Sequence, residues 1–128
     1  MERPCSTVRV PCNNLQEFFV YWLKFLQPFH SLTIRELEVF ACILNHRYAL
    51  SKVITDETIL GSVLFSDDTK KTMAEELEMS QQYFQIIVNK LKKLKLVVDN
   101  KVEPKFIPKL KENNGMFTLL FVFDIKYE

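Results

Sequence analysis

The sequence predicts a mainly helical fold with a small β element, and three observations carry that expectation. Apolar residues recur at three- and four-residue spacing in several stretches between positions 15 and 94. Short alternating or β-branched runs are confined to residues 6–10, 97–102 and 117–126. The 128 residues contain no linker, internal repeat or low-complexity run, so 1–128 reads as a single domain.

Composition removes several function classes before any motif is considered. Hydrophobic residues make up 48 % of the chain and charged residues 26 %, as in an ordinary folded protein. Gly61 and Gly115 stand alone, which excludes a P-loop and a dinucleotide-binding fingerprint. No apolar stretch reaches the length of a membrane span. The three cysteines, Cys5, Cys12 and Cys42, are an odd set without metal or redox spacing. Met1-Glu2-Arg3-Pro4 lacks an apolar secretory core, and a reduced, cytoplasmic setting is the expectation.

In chain order, residues 6–10 set Thr7 and Arg9 against Val8 and Val10, and Pro11 closes this short strand. Asn13 or Asn14 caps the next helix, so the N-terminal strand and helix together occupy 6–26. Leu15, Phe18, Phe19, Trp22, Leu23 and Leu26 form its main stripe, while Val20, Tyr21 and Phe25 make the other side apolar too. A helix apolar nearly all round is buried in its own core or against a partner. Trp22 and Phe25 are therefore candidate protein-interface residues, and Pro28 is expected to end the helix.

Thr33 and Glu36 have capping-box spacing ahead of a helix striped by Ile34, Leu37, Phe40/Ala41 and Leu44 and running to about Arg47. Thr55-Asp56 can start a short helix with Ile59, Leu60, Val63 and Leu64, a pattern weakened by Gly61. Ser66 with Asp67 and Asp68 begins another, acidic groups lying at the positive end of its dipole. That helix puts Met73, Ala74 and Leu77 on one face and breaks at Glu78-Met79-Ser80. Ser80 opens a helix over 80–95 whose inner face is Phe84, Ile87/Val88, Leu91 and Leu94. Val97-Val98, the polar pair Asp99-Asn100 and Lys101-Val102 then read as strand, tight turn and strand.

Helix, short turn, second helix and basic hairpin together resemble the winged helix-turn-helix family over about residues 32–107. The resemblance implies that helix 80–95 faces the major groove of double-stranded DNA through Gln81, Gln82, Tyr83, Gln85, Ile86 and Asn89. It implies that Lys90, Lys92, Lys93, Lys95, Lys101 and Lys105 hold the phosphate backbone. Charge distribution supports this, because residues 90–111 carry eight lysines against Asp99 and Glu103, a local balance of +6 in a chain of net charge +1. The chain departs from the family at Glu78, where glycine is favoured and where a side chain is tolerable at negative φ. It departs again in having no lysine or arginine in 80–89, with Glu75 and Glu76 just before.

Asn113-Asn114-Gly115 marks a turn, after which Phe117, Leu119, Phe121, Phe123 and Ile125 line one face of a C-terminal strand over 117–126. Leu120 and Val122 make its other face apolar, so it is expected to be sandwiched. Pairing with the N-terminal strand would cover it, and a neighbouring subunit is the alternative. Phe121 and Phe123 join Trp22, Phe25, Tyr83 and Ile86 as candidate protein-interface residues.

Neither histidine falls in a zinc-ligand spacing, so no metal site, no cofactor and no catalytic set are expected. His46 beside Arg47 reads as a helix C-terminal charge, and Cys42 as a small buried hydrophobe. The function expected is non-enzymatic binding of double-stranded DNA by a protein that forms a homo-oligomer or joins a larger assembly, without a membrane. The alternative is a structural or adaptor subunit, such as a bacteriophage virion or connector component, using the same scaffold for protein contacts. Its location would then be the virion.

Overall fold

A computed structural model describes residues 8–110 and 124–126, with the strand backbone at 112–113 and 116–117. The described chain is mainly helical, with small antiparallel two-stranded sheets. Helix α1 spans Leu15–Phe25 and packs on α3, Ile34–Ser51, the central helix of the core. Between them lies the single-turn helix α2, Gln27–His30. Helices α4 (Glu57–Leu64), α5 (Asp67–Glu76) and α6 (Gln81–Lys93) follow. Strands β1 (Val97–Val98) and β2 (Lys101–Val102) form a hairpin, and a 3-10 turn covers Pro104–Phe106. Strands β3 (Glu112–Asn113) and β4 (Met116–Phe117) pair antiparallel, Glu112 opposite Phe117 and Asn113 opposite Met116, while the centre of the turn expected at Asn113-Asn114-Gly115 lies outside the described residues.

Capping residues set each helix start, as their side chains predict. The Asn14 side chain accepts from the Glu17 N–H, Asp56 from Thr58 and Ile59, Ser66 from Thr69, and Ser80 from Tyr83. Thr33 and Glu36 form the full capping box. Pro28 does not terminate α1, which already stops at Phe25. It lies in the first turn of α2, where a missing N–H costs nothing. Helix α3 also runs one turn beyond Arg47, to Ser51, which leaves His46 inside the helix and not at its C-terminal end.

The core gathers Phe19 and Leu23 of α1, Leu37, Val39, Phe40, Ile43 and Leu44 of α3, and Leu64 of α4. Met73 and Ala74 of α5 and Phe84, Val88 and Leu91 of α6 close it from the other side. Ile34, expected on the inner stripe, is instead exposed, while Leu32 and Leu37 on either side of it in the chain are buried. Trp22 is half-buried and donates its indole N–H to the Phe106 carbonyl at 2.8 Å, so its polar edge is used inside the chain. Phe25 is exposed at the end of α1. His30 is a buried histidine with both ring nitrogens engaged. Its Nδ1 accepts from the Leu32 N–H at 3.0 Å, and Nε2 therefore donates to the Leu23 carbonyl at 2.7 Å.

The predicted N-terminal strand is not formed over Val8–Val10, which are exposed and without regular structure. Alternation supplies the period of a strand, but a strand exists only when a neighbour takes its hydrogen bonds. Residues 124–126, including Ile125, are likewise exposed and irregular. Phe121 and Phe123 lie outside the described residues, as does most of the expected pairing between the two terminal strands.

The break between α5 and α6 is a helix C-terminal motif with a left-handed residue. Glu78 takes φ 55°, its N–H bonds the Glu75 carbonyl, and the Met79 N–H reaches back to Ala74. The condition under which a side chain is easily tolerated at this position, a negative φ, is therefore not met. Bonding the last carbonyls of α5 requires the reversal, whatever side chain stands there. Glu78→Gly is expected to stabilise the fold by about 1 kcal/mol, read as a higher urea midpoint at unchanged m-value.

Candidate nucleic-acid interface

Helix α6 buries Phe84, Ile87, Val88 and Leu91 and turns the opposite side to solvent. Residues four, three and four apart put Gln82, Ile86, Asn89 and Lys93 along the outermost line, and all four are exposed. Gln81 and Tyr83 are exposed at the N-terminal end, and Lys90 and Lys92 flank the C-terminal half. No carboxylate occurs within α6. Leu94, predicted on the inner face, is 45 % exposed. The helix ends at Lys93 and Lys95 adopts φ 66°, which swings Leu96 and Val97 into the core in its place.

The β1–β2 hairpin follows directly. Val97 faces Val102 with both buried, and Val98 faces Lys101 with both exposed. Asp99 at φ 53° and Asn100 at φ 60° form the two-residue turn, with both residues left-handed as the tightest hairpins require. Lys92, Lys93, Lys95 and Lys101 thus share the region where α6 passes into the hairpin, and no described carboxylate pairs with any of them.

Other predicted contact residues are engaged within the chain. Lys90 Nζ sits 2.7 Å from Glu36 Oε2, which takes this lysine out of the free set. Lys70 of α5 donates to Gln85 at 2.9 Å, and Gln85 in turn donates to Asn89 at 2.8 Å. Lys105 lies over the Phe106 ring at 5.5 Å. The acidic residues before α6 are partly withdrawn as well. Glu76 turns toward His46 on α3 although it stays half-exposed, and Glu75 and Glu78 are exposed.

Glu36 fastens the start of α3 to α6. Burial pushes its carboxyl upward, but the Lys90 ammonium and the Thr33 N–H and hydroxyl outweigh that and hold it below the ordinary value of 4.5. A carboxyl held low stabilises the fold above its unfolded titration and loses that contribution as pH falls through the folded one. Acid unfolding of the Glu36→Gln variant is therefore expected to show a shallower loss of stability below about pH 4.5 than the parent protein. A chevron or urea series at several pH values measures this.

A second cluster lies between α3 and α5. His46 Nε2 is 2.8 Å from Glu76 Oε1, and Cys42 Sγ donates to the same oxygen at 3.6 Å. Burial and the adjacent Glu76 carboxylate push the Cys42 thiol up to about 12. So protonated a thiol is a poor nucleophile, and the trio does not resemble an activated catalytic cysteine. Reading Cys42 as a mere hydrophobe and His46 as a terminal charge missed this cluster. The legible signal was their four-residue spacing, which puts both on one face of α3. Glu76 comes from another helix, and only folding brings it there.

Comparison with protein-family models, curated proteins and solved structures returns no match to this chain. Among the described residues, no helix is long and apolar enough to cross a membrane.

Proposed function

We propose that this chain is a non-enzymatic winged-helix protein that binds double-stranded DNA. Helix α6 faces the major groove, and the β1–β2 hairpin acts as the wing on the phosphate backbone. The observation that carries the reading is an outward helix face without a carboxylate, continuous with Lys92, Lys93, Lys95 and Lys101, which pair with no carboxylate among the described residues. Gln82 supplies an amide able to bridge the N6 and N7 edge of adenine, and Asn89, whose Oδ1 accepts from Gln85, adds its Nδ2 as a donor. The lysines supply the phosphate neutralisation that dominates affinity.

The test is duplex binding by fluorescence anisotropy across a salt series, beginning at low ionic strength. Lys93→Glu and Lys101→Glu are each expected to weaken binding about tenfold and to reduce the salt slope by about 1. Absence of salt-sensitive binding would overturn the proposal. It would favour a second reading, a structural or adaptor subunit of a larger or homo-oligomeric assembly. Ile86, 58 % exposed, and the exposed Tyr83 point to that alternative, because apolar and aromatic groups on an outer helix face suit a protein partner.

A further inference from the structure

We propose that Cys42, His46 and Glu76 form a three-ligand site for a zinc-class divalent cation where the end of α5 meets α3. Cys42 and His46 are four residues apart on one helix, and Glu76 is the last residue of the other. Their candidate donor atoms all lie within 4.8 Å of one another. Zinc bonds of about 2.0–2.3 Å arranged tetrahedrally put ligand atoms roughly 3.3–3.8 Å apart. The Cys42–Glu76 separation of 3.6 Å already fits, and the His46–Glu76 separation of 2.8 Å needs to open only slightly. Glu76 can supply that adjustment, since its side chain is 51 % exposed at the helix end.

The donor set selects the metal. Thiolate sulfur, imidazole nitrogen and carboxylate oxygen together suit a borderline cation such as zinc, whereas magnesium and calcium take oxygen ligands alone. Three protein donors leave a fourth position, and the partial exposure of His46 and Glu76 gives it a route to solvent water. On binding, the Cys42 thiol proton leaves to solvent and an Sγ–metal bond replaces the S–H bond. The metal would also replace the weak Cys42 hydrogen bond with a clamp between α3 and α5. That clamp sits two residues before Glu78, next to the Leu77 carbonyl already held by Arg35 at 2.6 Å. The site is independent of what α6 binds.

The full chain carrying Cys5→Ser and Cys12→Ser, stripped with chelator and titrated with cobalt(II), tests the site without the other thiols. The expected result is one cobalt per chain, a near-ultraviolet thiolate-to-cobalt charge-transfer band, and its displacement by zinc with a rise in Tm. Cys42→Ser should abolish the band. Because this core substitution can unfold the chain, His46→Gln and Glu76→Gln, both at partly exposed positions, are measured as well, with folding checked by circular dichroism. Each is expected to weaken binding at least about tenfold. No band at a large excess of cobalt, a band surviving in folded Cys42→Ser, or unchanged affinity in both other variants would overturn the site.

Discussion

Phe106→Ala is expected to destabilise the protein by about 3–5 kcal/mol, a large share of the 5–15 kcal/mol typical of a small domain. Phe106 closes a short 3-10 turn that opens on Pro104, yet no part of it is exposed. Its ring meets Phe40 edge-on at 5.7 Å and His30 at 6.1 Å, and its carbonyl accepts the Trp22 indole N–H. One residue therefore ties α1, α2 and α3 to the segment that leaves the hairpin. Alanine would leave a cavity among elements too constrained to collapse into it. Trp22 is the sole tryptophan, so urea unfolding followed by its fluorescence reports on this junction directly. A midpoint shift equivalent to under about 1 kcal/mol would contradict the anchoring role. Phe106→Leu, which keeps most of the volume, should lose much less.

Gly61→Ala is expected to cost about 2–3 kcal/mol, although alanine is the better helix former. A Cβ at this buried position of α4 would stand 2.3 Å from the Asn100 carbonyl oxygen. That oxygen belongs to backbone in a two-residue turn with both residues left-handed, so it cannot step aside as a flexible side chain could. Either α4 lifts from the core or the hairpin is displaced. Amide chemical shifts should separate the effects, with changes centred on residues 97–102 and the α1–α3 packing intact. A variant as stable as the parent, with an unmoved hairpin, would show the close approach to be unimportant. By helix propensity alone, Gly61 weakens a short helix. In the fold, the absence of a side chain is what lets the hairpin turn lie against that helix.

These two residues mark where sequence reading reached its limit. Caps were legible because their chemistry is local: Asn14, Thr33, Asp56, Ser66 and Ser80 each bond an amide two or three residues away. The inner stripes of α5 and α6 were legible from period alone, as was the hairpin turn at Asp99-Asn100. The structure departs from the local pattern at helix ends and where a distant group intervenes. Leu94 lost its place in the core when Lys95 turned left-handed, and Lys90 was claimed by Glu36, 54 residues earlier. Glu78 took a positive φ because the final carbonyls of α5 needed partners.

The amino-acid order by itself determined that α1, α3, α4, α5 and α6 become helices, where each of these five starts, and which side of α6 carries Phe84, Val88 and Leu91 inward. Those properties depend on hydrogen bonds and hydrophobic repeats spanning a few residues, which any chain with this local order would share. Tertiary structure alone decided that Lys90 of the basic segment pairs with Glu36, why Gly61 must lack a side chain, and how Glu76 comes to face Cys42 and His46. Each of these depends on groups far apart in the chain meeting within a few ångströms, a distance that no periodicity encodes.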